Sequence, residues 1–412
     1  MAVSSPQYVW ALFTTDLKTT LNATLPEIQS TFAILIVAQT FLSPFQGFLI
    51  DKFGPRLLLS AGAVITALSW ILASGVTSVW GLYLTYGLLG GVGTGIIYVG
   101  VVGLMVQWFP DKRGFAVGMV AAGYGFGAIL TTFAISASVK ASGVSHTLML
   151  YGIAIGVVGL LAAQGMRRPK PEEVSAQAQK YRSAFPDRES TRGYTPAEML
   201  KKPVFWVMFI MMTMMSTSGL MVISQMGAFA KDFGVANVMV FGMAALPLAL
   251  TIDRFTNGLT RPFFGWVSDR VGREKTMFIA FGLEGVAMTL WLATSSNPVL
   301  FVLLSGVVFF GWGEIFSLFP STLTDTFGSK HATTNYGFLY MAQGVGSVLG
   351  GPLAAMLHDA TGSWTPVFMT VISMDFLTAL LALAMLKPMR QRFLANIGVE
   401  PVVPPGTVPA FK

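Results

Sequence analysis

The sequence has no cysteine and few charged residues, and both absences narrow the possible classes of protein. Without cysteine, the 412-residue chain cannot form a disulfide scaffold, a thiol nucleophile or a cysteine-based metal site. Only 11% of its residues are charged and 53% are apolar, whereas an ordinary soluble domain has roughly 25% charged residues. Such a composition supplies too little polar surface to cover a soluble core, so a water-soluble fold is excluded.

The apolar residues occur in long runs that short polar stretches separate. A helix of about 20 apolar residues crosses the roughly 30 Å hydrocarbon core of a bilayer. A membrane-spanning β-barrel would instead alternate polar and apolar residues over about ten positions at a time, and these runs do not alternate. The sequence therefore predicts an all-α membrane protein with many spans, which has the lipid bilayer as its first partner.

Twelve spans are predicted in two sets of six. Between the sets, residues 167–203 are charged and contain proline, and they end in Thr195-Pro-Ala-Glu198, a capping box that predicts a short surface helix. We expect one six-helix bundle over residues 1–166, a second over 204–387, and a disordered proline-containing tail over 388–412. The spans are predicted near residues 1–17, 30–50, 57–75, 79–107, 114–137, 146–166, 204–230, 238–268, 276–294, 299–322, 333–357 and 365–386.

The first predicted span is shorter than the others. Only about 15 residues precede Asp16, and Pro6 and Gln7 are among them, whereas a complete crossing takes about 20 residues. The expectation is that the numbered chain begins inside the first helix.

The basic residues lie mostly on one side of the predicted spans. Of the 26 lysines and arginines, 21 fall on the side of the central linker, 3 on the opposite side and 2 inside spans. Because basic residues concentrate on the cytoplasmic side of membrane proteins, the linker and the C-terminus are predicted to be cytoplasmic, with the protein in a bacterial inner membrane. The net charge of +7 lies in these loops and does not indicate a nucleic-acid partner.

One motif occurs twice, which indicates an internal repeat. GFLIDKFGPR (47–56) follows the second predicted span and GWVSDRVGRE (265–274) follows the eighth. Both contain Gly-x-x-x-Asp-[Lys/Arg]-x-Gly with an arginine shortly after it. The glycines allow helices to approach closely, the aspartate suits the N-terminus of a neighbouring helix, and the basic residues anchor at the cytoplasmic surface. The predicted gating residues are Gly47, Asp51, Arg56, Gly265, Asp269 and Arg273.

With this motif the chain resembles the major facilitator superfamily and, more closely, the oxalate/formate antiporter family. The resemblance implies the major facilitator fold, which consists of two pseudo-symmetric six-helix bundles with a site between them. The implied activity is alternating-access transport of small carboxylate anions. The stretches that resemble the family are QYVWALF (7–13), IDKFGPR (50–56), WFPDKRGFAVGMVAAGYGFG (108–127), EMLKKPVFW (198–206), NGLTRPFFGWVSDRVGREKT (257–276) and LFPSTLTDTFG with NYGF (318–338).

The eighth predicted span contains two arginines on one helical face. Arg254 and Arg261 coincide to within about 20° on an α-helix, and Asn257 is four residues before Arg261. A charge in the bilayer costs about 2.5–3.5 kcal/mol or more, so such residues indicate function. Because a guanidinium binds both oxygens of a carboxylate, Arg261 is the predicted substrate-binding residue. The resemblance implies the same role through its Arg-Pro-Phe match.

The resemblance also implies a second cation, and here the sequence departs from the family. The oxalate antiporters have a lysine in the eleventh helix, within the segment that corresponds to Tyr340-Met-Ala-Gln343, and Gln343 occupies that position in this chain. Two alternatives follow. Either Arg254 supplies the second positive charge for a dianion, or the substrate is a monocarboxylate.

Aromatic side chains are implied to form the walls of the site. Tyr hydroxyls can donate hydrogen bonds to carboxylate oxygens while the ring faces exclude water; ordinary packing is the alternative for each ring. Phe316 stands where the family usually has a tyrosine, and Gln39 is a further polar candidate. The rings at the family's cavity positions are Tyr8, Tyr98, Tyr124, Trp312 and Tyr340.

Three acids, Glu284, Glu314 and Asp375, lie inside apolar spans. A buried carboxyl holds its proton more tightly than an exposed one, so Glu314, close to Trp312 and Phe316, is the predicted proton-coupling candidate. The alternative is a structural carboxyl that pairs with an arginine or a lysine.

These observations predict a secondary transporter that works as a monomer and needs no cofactor. A receptor would need a sizeable soluble domain, and the longest internal polar segment is the linker. An enzyme would need a paired nucleophile and base or a metal cluster, and neither is visible. Exchange of carboxylates is the favoured activity, and proton-coupled symport of a lactate-like monocarboxylate is the alternative.

Overall fold

The computed structural model describes residues 9–184, 190 and 192–397, and these are almost entirely helical. A turn of 3₁₀ helix, Trp10–Leu12, precedes the first helix, and wider π-helical turns lie at Tyr83–Leu89 within α5, at Leu349–Leu353 and at Ala382–Leu386. The helices are α1 Thr14–Thr20, α2 Leu25–Phe41, α3 Ser43–Phe53, α4 Pro55–Ala73, α5 Val79–Trp108, α6 Arg113–Gln164, α7 Pro171–Ala184, α8 Pro196–Met199, α9 Pro203–Asp232, α10 Ala245–Val271, α11 Arg273–Ala293, α12 Pro298–Trp312, α13 Ile315–Phe327, α14 Ala332–Val348, α15 Ala354–Thr361, α16 Thr365–Leu381 and α17 Lys387–Ile397.

Helix α6 contains two of the predicted spans. Its 52 residues would be far longer than a bilayer is thick at 1.5 Å per residue. The helix is interrupted at Gly143, which has a φ of 79°, a conformation that glycine adopts without strain. Both ends of α6 lie on the same side of the protein, because Trp108 just before it donates a hydrogen bond to the carbonyl of Arg167 just after it (2.7 Å). The chain therefore reverses direction at Gly143.

The central linker lies against one end of the helices, which we call the linker side. Arg168 donates to the carbonyl of Ile50 (2.8 Å), and the Ser190 amide donates to that of Asp325 (2.8 Å). Hydrogen bonds from the Arg167 side chain and the Lys170 amide lower the pKa of Glu173 to about 2. The predicted capping box at the end of the linker is confirmed, since the side chains of Thr195 and Glu198 cap each other's backbone amides at α8.

The number of recognisable spans differs from the twelve predicted. By length and apolar composition, seven of the helices in the described part of the chain can cross a membrane, or eight if the bent pair α2 and α3 counts as one span. The difference of four spans has four causes. The first predicted span contains only α1 and the 3₁₀ turn within the described residues, and the span predicted over 333–357, which is divided by the π-helical turn at Leu349–Leu353, does not qualify. Helix α6 counts once although it reverses, and α10 is too rich in charged residues to qualify, with Asp253, Arg254 and Arg261 along its length.

Two boundaries of the predicted spans are corrected. The span predicted over residues 238–268 begins only at Ala245, because Met239–Val240 and Met243–Ala244 form a small antiparallel hairpin around a turn at Phe241 and Gly242. The span predicted over 30–50 is two helices that meet at Leu42 with a bend of 47°.

Candidate substrate-binding site and gate

Arg261 lies at the contact between the two halves of the chain. Its side chain is only 1% exposed. The guanidinium donates from Nε (3.1 Å) and Nη2 (2.8 Å) to Oδ1 of Asn257, one turn earlier on α10, and from Nη1 to the carbonyl of Ala121 on α6 (2.7 Å). The i, i+4 spacing of Asn257 and Arg261 allows the amide to fix the orientation of the guanidinium. These three hydrogen bonds go to uncharged oxygens and fix the orientation of the guanidinium.

An aromatic ring contacts Arg261, and rings from both halves pack behind it. The guanidinium carbon lies 4.5 Å from the ring centre of Phe316, at the start of α13. Tyr98 of α5 packs against Phe316 (6.3 Å) and edge-on against Tyr124 of α6 (5.4 Å), and it stacks on Tyr340 of α14 (5.0 Å). All four rings are buried. They form a water-poor wall in which an ion interacts more strongly than it would in water.

The other residues of the predicted site are two glutamines near Tyr340 and a tryptophan that packs against Phe316. Gln39 of α2 donates to the hydroxyl of Tyr340 (3.2 Å), which links the halves beside the ring stack. Gln343, three residues after Tyr340, is buried, and its Oε1 accepts no hydrogen bond within the described residues. Trp312 lies one layer further out, edge-on to Phe316 (5.5 Å), with its indole nitrogen bonded to the carbonyl of Met215 (2.7 Å).

Two other predicted residues are not part of this cluster. Arg254 is half-buried on α10, two turns from Arg261, and its charge interacts with Asp253 beside it. Its role as a second cation stays a prediction. Tyr8 lies outside the described residues.

Glu314 lies between α12 and α13, directly behind the site. The carboxyl is fully buried, and its Oε2 lies 3.5 Å from the hydroxyl of Thr260, the neighbour of Arg261 on α10. The acid predicted for proton coupling therefore packs against the turn of α10 that holds Arg261, and its coupling role stays a prediction.

The first copy of the repeated motif contacts the opposite half on the linker side. Asp51, in the last turn of α3, accepts from the backbone amide (2.9 Å) and the hydroxyl (2.6 Å) of Thr334 in the first turn of α14. Gly47 packs so closely that a Cβ there would lie 2.6 Å from the carbonyl oxygen of Thr333. Arg56 is exposed.

The second copy makes the mirror contact with the start of α6. Asp269 accepts from the backbone amides of Gly114 and Phe115 (both 2.9 Å), two of the unpaired donors at a helix N-terminus. Gly265 packs against the carbonyl of Gly114, where any side chain would collide. Both aspartates thus lie at helix N-termini, where the sequence predicted them.

A buried ion network surrounds the second copy, and the sequence analysis did not identify it. Asp325 of α13 bonds to Nη1 of Arg113 (2.7 Å) and to Nε of Arg273 (2.8 Å), and Arg273 also pairs with Asp269 (2.6 Å). All four side chains are at most 8% exposed. One signal was available, because Asp325 is an acid that closely follows the apolar run containing Glu314.

These features identify the class of protein. The sequence profile of the Major Facilitator Superfamily matches residues 3–252 and 245–407. The chain belongs to this superfamily, and it is a membrane transporter rather than an enzyme.

Particular relatives refine this assignment. The chain is 33% identical to the oxalate:formate antiporter of Oxalobacter formigenes over 92% of its own length and 87% of the relative's. It is 26% identical to monocarboxylate transporter 13 of Bos taurus over 84% and 77% of the two chains. Among solved structures, the proton:xylose symporter XylE superposes with a TM-score of 0.67 over 93% of each chain at 14% identity, which supports the fold alone. The predicted fold class and the family resemblance are confirmed.

Proposed function

We propose that the protein is a secondary transporter that exchanges small carboxylate anions of the oxalate and formate type. In this proposal Arg261 binds the substrate carboxylate. The bundles over residues 1–166 and 204–387 rock around the bound anion and expose it to each side of the membrane in turn. The linker and the C-terminus face the cytoplasm of a bacterium, and the monomer is the working unit.

The observation that supports the proposal most is the setting of Arg261. A guanidinium is held by Asn257 on its own half and by the carbonyl of Ala121 on the other, inside a wall of aromatic rings. A carboxylate that enters this wall gains charge-assisted hydrogen bonds from the guanidinium where water cannot compete. Because the rings of Tyr98 and Tyr340 stack across the two halves, an anion bound here contacts both bundles at once.

Similarity to characterised relatives supports the class of substrate. The oxalate:formate antiporter and monocarboxylate transporter 13 are both named after carboxylates. Both align with more than four fifths of this chain. Oxalate is a dianion, whereas formate and other monocarboxylates are monoanions. In this proposal, Gln343 and Arg254 determine whether the chain accepts the dianion.

Uptake of labelled oxalate into proteoliposomes tests the proposal. Vesicles are preloaded with formate, oxalate, lactate or no anion, and each internal anion is compared with the empty vesicles. Internal formate or oxalate is expected to accelerate uptake. Loss of charge-assisted hydrogen bonds of about 1.5–3 kcal/mol in Arg261→Gln predicts a decrease of roughly 10-fold to 100-fold.

The matched control is Arg392→Gln, because Arg392 is an exposed arginine on α17 and lies outside both copies of the repeated motif. Its exchange rate is expected to stay close to that of the wild type. Equal loss in both variants would contradict a specific role for Arg261.

A proton-coupled monocarboxylate symporter is the second candidate. It is favoured by the neutral, buried Gln343 at the position of the second cation and by the buried Glu314 next to the guanidinium. In that case an inward proton gradient accelerates lactate uptake into empty vesicles, and internal formate has no effect on oxalate uptake.

A further inference from the structure

A pair of acids lies inside the second half of the chain, behind the substrate site. Glu284 is in the middle of α11 and Asp375 is in the middle of α16, and neither carboxyl has any exposed surface. The two helices pack side by side, and the residues next to the two acids are in contact, because a Cβ on Gly285 would lie 3.2 Å from the ring of Phe376. The exchange mechanism proposed above uses neither residue.

The surroundings of the pair do not neutralise two negative charges. Ser218 of α9 donates to Oδ2 of Asp375 (3.1 Å) and is also close to Glu284. Both carboxyl oxygens of Glu284 and Oδ1 of Asp375 accept no hydrogen bond from any described residue. Among the residues that the structure describes, no lysine, arginine or histidine forms an ion pair with Glu284 or Asp375.

A third acid faces the pair from the junction of α12 and α13. Glu314, whose Oε1 is likewise buried without a described partner, interacts with the charge of Glu284. The packing is close here, because a Cβ on Gly311 would lie 2.8 Å from that of Glu284. The titratable residues of α9, Lys231 and Asp232, are at its far end.

We propose that Glu284 and Asp375 form a proton-binding site that holds one proton between the two carboxyls. Two carboxylates buried on a pair of packed helices, in surroundings this apolar, repel each other and cannot both be ionised without a compensating cation. A proton on one acid removes a negative charge and supplies a donor for the oxygens that lack one. The ligand of this site is a proton, and its place is distinct from the anion site at Arg261.

The structure also links this site to Arg261. Glu314 lies between the two sites, because the nearby Gly311 packs against Glu284 and the hydroxyl of Thr260, the neighbour of Arg261, lies 3.5 Å from Oε2 of Glu314. The adjacent Gly313 packs against the backbone carbonyl of Asn257, with only 2.8 Å for a Cβ. An anion bound at Arg261 compensates the positive charge that Glu314 senses, so its binding favours proton uptake by the acids. This coupling step rests on the proposed function, whereas the proton site itself does not.

Infrared difference spectroscopy of the full chain in lipid bilayers tests the proton site without any transport assay. The spectrum of a double variant, Glu284→Gln with Asp375→Asn, is subtracted from that of the wild type at neutral pH. The expected difference contains the C=O band of a protonated carboxylic acid, which shifts in D₂O. A difference that contains only ionised carboxylate bands would overturn the proposal.

Two further variants make the spectra specific. Asp253→Asn removes another buried acid of the same half, one with Arg254 beside it, and is expected to leave the band of the pair in place. Ser218→Ala keeps both acids and removes only the hydroxyl that donates to Asp375. It is expected to shift the frequency of the band, and it serves as the milder test if the double variant does not fold. An unshifted band there would contradict the assignment to this pair.

A pH indicator in weakly buffered solution tests the coupling. Oxalate is added to the purified protein at a pH above the midpoint at which the infrared band disappears. Proton uptake is expected in the wild type and in Asp253→Asn, and it is expected to be lost in the double variant while oxalate still binds. Equal uptake in the double variant would separate the proton site from the anion site. Failure of the wild type to bind oxalate would contradict the proposed function and leave the infrared result standing.

Discussion

The two copies of the repeated motif make the same backbone contact but use charge differently. In each copy an aspartate, Asp51 or Asp269, accepts hydrogen bonds at the start of a helix from the other half. Besides backbone amides, Asp51 accepts from the hydroxyl of Thr334, whereas Asp269 pairs with the buried guanidinium of Arg273. The buried ion network is thus built around the second copy.

The difference traces to the residue after the second glycine of the motif. The first copy has Pro55 there, which suits the first turn of α4 but has no charge, and Arg56 follows it in an exposed position. The second copy has Arg273, which is buried. The acid of the network, Asp325, also has no acidic counterpart in the first half. The two copies of the motif are 218 residues apart, and the residue 218 positions before Asp325 is the half-buried Gln107. The repeated motif determines where the helices of the two halves meet. The residues beside each copy determine whether buried ion pairs stabilise that contact.

The largest effect is expected from Asp325→Ala. The change leaves Arg113 and Arg273 without their shared carboxylate in a buried place, and breaking a buried pair typically costs about 3–5 kcal/mol. The apparent Tm of the protein in detergent, followed by circular dichroism, is expected to fall strongly. Gln107→Ala is the control at the corresponding place of the first half, and its Tm is expected to change little. Equal decreases would mean that the two copies are held with similar strength.

A smaller effect is expected from the aspartates themselves. Asp269→Asn removes a negative charge that faces two backbone amides and Arg273, and each hydrogen bond to a charged group contributes about 1.5–3 kcal/mol. Asp51→Asn, in contrast, loses no ion pair that the structure describes. Opening of the linker side is measured by maleimide labelling of a cysteine at buried Ala116 or Ala332, because the chain has no other cysteine. Labelling is expected to accelerate about 10-fold or more for Asp269→Asn, since 1.4 kcal/mol is a factor of ten. The increase for Asp51→Asn is expected to be smaller, and a reversed order would refute the comparison.

The glycines are expected to behave alike in the two copies. Gly47→Ala and Gly265→Ala each place a methyl group against a backbone carbonyl of the opposite half, that of Thr333 or Gly114. Overpacking of this kind costs about 1–3 kcal/mol, so both variants are expected to raise the labelling rate by comparable factors. Gly282→Ala is a control, because a Cβ there meets no atom within 4 Å. A large difference between Gly47 and Gly265 would show that the backbone contact is not the shared element.

The fold was largely predictable because a membrane restricts what a sequence can do. Long apolar runs must form helices across the bilayer, and the runs located most of them. The breaks were harder to predict, since the bend at Leu42 and the hairpin before Ala245 depend on short local turns within apolar sequence. For the reversal at Gly143, the sequence predicted only that a short gap separates the spans near 114–137 and 146–166.

The site was predictable where a single helix contains the pattern. Arg261 and Asn257 are four residues apart, and a charge inside an apolar run is conspicuous in any membrane sequence. The pair of Arg113 and Asp325 was missed because 212 residues separate its members and only the folded chain brings them together. Arg113 by itself resembles one more basic residue at the cytoplasmic end of a span.

The smallest effect is expected from Arg56→Gln, and it is the sharpest test of what the motif's arginine does. Arg56 is exposed and forms no ion pair that the structure describes, and exposed substitutions of this kind usually change stability by less than about 0.5 kcal/mol. Labelling at Ala332→Cys and the apparent Tm are expected to match those of the parent, whereas Arg273→Gln is expected to disturb both. If Arg56→Gln opens the linker side as far as Arg273→Gln does, the arginine acts through the membrane surface rather than through the buried network, and the asymmetry between the two copies does not govern the gate.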